Sequence, residues 1–182
     1  MRARLRTFGA ALAALLLAGC ATPTTGTDGF VTGDGSITVI APDERQAAPV
    51  IVGETLDGAQ WSSDSVGDKV IVYNVWGSWC VPCRAENHHV VKAYEKFRDK
   101  NFTVLGVSLE RPGDRQAWVN AIIKDKLTWT HVAALTKEEG EMIRNLYTIQ
   151  SIPMNFLIDP QGKIVAVYLR GEALMKKLEE LL

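Results

Sequence analysis

The chain predicts an α/β fold, a central mixed β-sheet with helices on both faces. Three observations carry that prediction. Segments of strand and helix character alternate from Pro49 onward. Two strand candidates, 70–76 and 102–109, are nearly continuous apolar runs, as strands buried on both faces are. Pro160-Gln161-Gly162 joins two further strand candidates into a hairpin ahead of a closing helix.

Taken in order, residues 50–52 form a short strand candidate, and Thr55-Leu56-Asp57-Gly58 reads as a turn. The run 70–76 predicts a central strand. Residues 82–100 have helical spacing, with Val90, Val91, Tyr94 and Phe97 on one side. After the strand 102–109, Arg111-Pro112-Gly113-Asp114 turns the chain into a helix over 115–124, whose apolar residues are Trp118, Ile122 and Ile123. A short strand is expected at 128–132 and a helix at 137–146, with Met142, Ile143 and Leu146 facing inward. Strands at 155–159 and 164–169 flank the hairpin turn, and residues 172–182 close the chain as a helix. No internal repeat is present.

The 182 residues suffice for one domain with a real core. The N-terminus divides from it by composition. Arg2, Arg4 and Arg6 precede an uncharged apolar stretch over 7–18, too short for the roughly 20 residues of a spanning helix but fitting the core of a signal peptide. Leu17-Ala18-Gly19-Cys20 follows, and it resembles the lipobox at which bacterial lipoproteins are cleaved and acylated on cysteine. The expected organisation is a lipoprotein signal over 1–19, a flexible tether over 20–48 ending in an edge strand near the apolar patch 37–40, and a domain over 49–182. Lipidation removes Cys20 from the thiol pool and leaves Cys80 and Cys83 as the free pair. Export places that pair where disulfides persist. Without the first nineteen residues the net charge moves from −1 to −4, with 17 Lys and Arg against 21 Asp and Glu. No basic stripe or polybasic run points to nucleic acid.

Cys80 and Cys83 stand between the apolar run and the helix candidate, in Trp76-Gly77-Ser78-Trp79-Cys80-Val81-Pro82-Cys83-Arg84-Ala85-Glu86. A cysteine at a helix N-terminus meets unsatisfied N–H groups and the positive end of the dipole, which favour the thiolate. Cys80 is therefore the expected attacking thiol, and Cys83, one turn on and deeper, the resolving one. Pro82 fits a first helical turn. Arg84 reads as a solvated charge rather than a partner of the thiolate. Glu86, three residues after Cys83, is on spacing alone either a proton-exchanging carboxylate or an exposed helix glutamate. Ile152-Pro153, ahead of a strand, is compatible with a trans entry or with a cis bond that offers the Ile152 backbone to a substrate strand.

Trp79-Cys80-Val81-Pro82-Cys83 after an apolar strand, with Ser151-Ile152-Pro153 before the terminal hairpin, resembles the thioredoxin superfamily. The exported start and the segment from Val104 to Ile122, inserted between the two halves, narrow the resemblance to extracytoplasmic thiol–disulfide oxidoreductases of the TlpA/ResA type, related to the AhpC/TSA proteins. The resemblance covers about 49–182. It implies a thioredoxin fold with an inserted strand–helix segment and a cis bond at Pro153. It implies a substrate groove formed by Trp79, Pro82, Ile152 and Pro153, and a proton role for Glu86 beside the redox disulfide Cys80–Cys83. It also implies dithiol exchange with exported proteins, in the reducing direction, with a membrane thiol carrier as electron source and apocytochrome c among the targets. The expected place is the cell envelope, anchored by lipid and facing the periplasm. No cofactor beyond the disulfide is required and no metal is expected. Met154 departs from the threonine common after the proline.

Three other readings remain at this level. Cys80 and Cys83 have the spacing of half a zinc site, which only His88, His89 or His131 could complete. The inserted segment is shared with peroxiredoxin-like peroxidases, but Gly77 stands where those resemble one another in threonine. A static disulfide in a lipid-anchored binding module is the third.

Overall fold

A computed structural model describes residues 36–182; the expected signal peptide, the Cys20 lipidation site and the first part of the expected tether lie outside them. The strands are β1 (Thr38–Val39), β2 (Val52–Glu54), β3 (Gln60–Ser62), β4 (Val70–Trp76), β5 (Phe102–Leu109), β6 (Thr130–Ala134), β7 (Met154–Ile158) and β8 (Ile164–Val167). The helices are α1 (Val81–Phe97), α2 (Arg115–Asp125), α3 (Lys137–Leu146) and α4 (Glu172–Leu181).

All the strands join one mixed sheet in the order β1-β8-β7-β4-β5-β6-β2-β3. β4 lies inside it, parallel to β5 and antiparallel to β7. All seven residues of β4 are buried, as its unbroken apolar run requires. Alternation along β4 and β5 divides the core in two. Val70, Val72, Trp76, Phe102 and Val104 face α1, α2 and α4. Ile71, Tyr73, Val75, Leu105 and Val107 face the side covered by α3, where Ile143 and Tyr147 pack. Helices cover both faces, as expected.

The differences from the sequence expectations have local causes. β2 starts at Val52 and pairs with a strand that the sequence reading passed over, β3, whose three residues carry too little apolar pattern to stand out. On α3, Ile143 alone is buried, while Met142 and Leu146 line an open groove against residues 50–53 and stay exposed, because the helix lies over the β2–β6 corner of the sheet. Ile123 on α2 also points to solvent, while Trp118 and Ile122 pack inward.

The expected tether over 20–48 is too long. β1 pairs with β8, Ile40 N–H donates to the Val165 carbonyl at 2.9 Å, and Ala48 N–H to that of Gly162 at 2.8 Å. Ala47 bridges to Lys163, and Arg45 forms an ion pair with Asp159 at 3.6 Å. Residues 38–48 therefore belong to the folded unit, held through backbone groups that composition does not reveal.

Candidate active site

β4 ends at Trp76 and α1 begins at Val81, so residues 77–80 turn the chain from the sheet into the helix. Gly77 permits that turn. A Cβ there would lie 2.7 Å from the Trp79 indole nitrogen and 3.2 Å from the Leu109 carbonyl oxygen. The threonine of a peroxidase-like arrangement has no room at this place.

Cys80 is the N-cap of α1 and is joined to Cys83 by a disulfide. The Cys83 N–H donates to Cys80 Sγ at 3.2 Å. Cys80 is 4% exposed and Cys83 is wholly buried, so of the two sulfur-bearing residues Cys80 lies nearer the surface. The surface around it is apolar: Val81 is 79% exposed, Trp79 is 39% exposed, and Pro82 beside them is also exposed. The Ile152–Pro153 bond is cis, and the Ile152 carbonyl oxygen stands 3.9 Å from Cys80 Sγ. The fold thus brings Trp79, Cys80, Pro82, Cys83, Ile152 and Pro153 to one place from segments about 70 residues apart. The Arg170 guanidinium donates to the Pro153 carbonyl and secures the loop from the β8–α4 connection.

Glu86 is half-buried on α1, and its carboxylate accepts the Gly171 N–H at 2.9 Å, at the start of α4. Among the described residues its hydrogen bond goes to that helix start and not to a cysteine. His88 and His89 are exposed on α1.

Beneath the disulfide runs a polar chain that the sequence reading missed. Buried Asn74, in the middle of β4, donates to Asn87 of α1 at 3.0 Å, and Asn87 reaches Asp125 at 3.4 Å. Asp125 forms a two-point ion pair with Arg84, its Oδ1 accepting from Nη2 at 2.6 Å and its Oδ2 from Nε. Arg84 also donates to the Ser78 carbonyl at 3.4 Å. Burial pushes the Asp125 carboxyl up, but the bonds from Arg84 and Asn87 outweigh it and hold it below its ordinary value. The same contact raises Arg84. Arg84 is thus not a solvated charge but a tie between α1, α2 and the turn before Cys80. Its partner lies 41 residues away, beyond the reach of local spacing. Asn74 carried a signal in the sequence, as one amide inside an otherwise apolar run.

His131 stands apart from the cysteines in contact and chemistry. It stacks on Trp129 with centroids 5.6 Å apart and meets Trp76 edge-on at 6.1 Å. Burial lowers its pKa to about 3, against a weaker opposing contact with the Leu127 backbone. It is a neutral core residue at the pH of thiol exchange. Among the described residues no three His, Cys, Asp or Glu side chains converge as metal ligands would.

Fold and site together define a thiol–disulfide oxidoreductase of the thioredoxin superfamily, of the TlpA/ResA-like type. The chain belongs to the AhpC/TSA family, whose sequence model matches residues 45–167. It is similar to the thiol-disulfide oxidoreductase ResA of Bacillus cereus, 27% identical over 132 residues that cover 72% of each chain. It is 30% identical to the sporulation thiol-disulfide oxidoreductase A of Bacillus subtilis, over 68% of this chain and 73% of that one. Among solved structures, a thiol-disulfide oxidoreductase from Bacteroides fragilis superposes with a TM-score of 0.68 at 35% identity, covering 75% of this chain and all of the other. A secreted thiol-disulfide isomerase from Corynebacterium glutamicum gives 0.72 at 25% identity, covering 85% and 95%. Protein thiols and disulfides are the substrates this class acts on.

Proposed function

We propose that this chain is an exported, lipid-anchored reductant of disulfides in other exported proteins. The observation that carries the chemistry is Cys80 at the α1 N-cap, with the Cys83 N–H at 3.2 Å and the Ile152 carbonyl at 3.9 Å. In the reduced enzyme the Cys80 thiolate attacks a substrate disulfide. That S–S bond breaks, one substrate sulfur leaves as thiolate and takes a proton, and a mixed disulfide forms. Cys83 gives up its proton, attacks Cys80 Sγ and releases the second substrate thiol. Two electrons pass to the substrate and the Cys80–Cys83 disulfide remains. Glu86, one turn beyond Cys83, handles the proton. Ile152, Pro153, Trp79 and Pro82 shape the groove in which the substrate segment lies. No bound cofactor is needed, because the disulfide is itself the redox group.

Acylation of Cys20 anchors the protein to a membrane of the envelope, and residues between Cys20 and Thr38 link the anchor to the folded unit. Among the described residues no helix is long and apolar enough to cross a membrane. The secreted isomerase among the similar structures supports export. The resemblance to ResA-type proteins supports reduction, with electrons from a membrane dithiol carrier and apocytochrome c as a target.

Trapping tests the exchange. In the full chain, Cys83→Ser should accumulate mixed disulfides with exported proteins, visible on non-reducing gels, and adding Cys80→Ser should abolish them. Adducts that persist without Cys80, or none in Cys83→Ser, contradict the assignment. Labelling with radioactive palmitate, lost in Cys20→Ala, tests the anchor.

A further inference from the structure

Glu110 follows β5 inside the inserted segment over 104–122, where the sequence assigned it no role, yet its carboxylate is buried and committed to the turn that carries Cys80. It accepts the Ser78 N–H at 2.8 Å and the Ser78 hydroxyl at 2.6 Å, and it also accepts the Ser108 hydroxyl. Its two neighbours hold the next residue. The Leu109 carbonyl accepts the Trp79 indole N–H at 2.9 Å, and the Arg111 guanidinium lies 5.1 Å over the Trp79 ring. From the opposite side Arg84 binds the Ser78 carbonyl. Ser78 is therefore held through its N–H, hydroxyl and carbonyl, two residues ahead of Cys80.

The donors to Glu110 are a backbone N–H and two hydroxyls. Such dipoles satisfy a carboxylate without cancelling its charge. Arg84 lies within its field but is bound by Asp125. The other charged groups about the turn are Arg111 over Trp79, and Asp114 and Lys124 across a cleft of about 320 Å³ between Trp79 and α2. Glu86 is turned to Gly171.

We propose that Glu110 is a positioning residue that fixes Ser78 and Trp79 and whose charge opposes the Cys80 thiolate. The α1 N-terminus and the Cys83 N–H favour the thiolate; Glu110 restrains it. A destabilised thiolate disfavours the dithiol form relative to the disulfide, which makes the pair a better electron donor. The proposal rests on Cys80 being the attacking thiol and deepens the reductant reading.

The test is the pH dependence of iodoacetamide alkylation of the reduced full chain, with the modified cysteine identified by mass spectrometry. Glu110→Gln keeps an acceptor oxygen and removes the charge, so the Cys80 midpoint should fall by about half a pH unit or more. Ser78→Ala removes a donor that disperses the charge, so the midpoint should rise. Glu110→Asp keeps the charge and should stay near the parent value. General loosening of the turn would move Glu110→Gln and Ser78→Ala in the same direction, and that result overturns the proposal. So does an unchanged midpoint in folded Glu110→Gln. If that variant does not fold, a Ser78→Ala midpoint that is unmoved or lowered overturns it. Alkylation beginning at Cys83 overturns the reading of Cys80 itself; alkylation at Cys80 with a flat Glu110→Gln midpoint overturns only the role of Glu110.

Discussion

At the start of α1 Cys80 is 4% exposed and Cys83 not at all, and the proposed order of the two thiols, Cys80 attacking and Cys83 resolving, accords with that difference. Their place at the start of α1 was legible in the sequence, because an apolar strand ends just before Cys80 and helical spacing begins just after it. Pro153 was legible for a similar reason, through its place before a strand and its resemblance to a known pattern. Glu110, Asn87 and the Arg84–Asp125 pair were not, since each acquires meaning only from a partner 13 to 41 residues away. His131 shows the same limit: its residue type left it among the three histidines that could complete a metal site, but two tryptophans pack against it. Its pKa has a measurable consequence. The folded value is depressed to about 3, so its contribution to stability is complete above its unfolded value and is lost as pH falls from about 6.5 toward 3. Unfolding free energy measured by urea titration should drop by about 4 kcal/mol over that window on this account alone. His131→Leu should flatten the slope; an equally steep slope in the variant would mean that His131 is not the group responsible. Asp125, also lowered, withdraws its support as pH falls from the ordinary carboxylate value of 3.8 toward its own depressed one.

At the scale of elements, the sheet places the polar chain where the active-site helix can use it. Asn155, Asn74, Gly106 and His131 form one cross-strand row beneath α1, on β7, β4, β5 and β6. Gly106 makes the row possible, since a Cβ there would come 2.1 Å from His131 Nδ1. Gly106→Ala should therefore cost about 2 kcal/mol in thermal or denaturant unfolding, and His131→Ala in the same chain should recover part of it. No loss in the single variant would show that the sheet yields easily at this point. The long elements were read correctly because continuous apolar runs and helical spacing persist over many residues. The β2–β3 hairpin was harder, because each strand has three residues and β2 meets β6 through a single pair, Glu54 with Ala133.

For the molecule as a whole, residues 38–48 act as a strap that runs from the β1 edge along the end of the sheet opposite the disulfide. A chain starting at Ser36 should keep the thermal stability of the described unit. One starting at Pro49 should lose about 2 kcal/mol or more, because the partly buried Ile40 and the backbone bonds to β8 go with it. Equal melting temperatures would restore those residues to a mere tether. Among the described residues the strap leaves the exchange site open, with Val81 and Trp79 exposed beside Cys80. The direction of electron flow is the central claim, and the reduction potential of the Cys80–Cys83 pair, measured by equilibration with a thioredoxin or glutathione couple, tests it most directly. A reductant should fall near the −270 mV of thioredoxin; a value near −120 mV, about 7 kcal/mol away at 30 mV per 1.4 kcal/mol, would make the protein an oxidant and contradict the account.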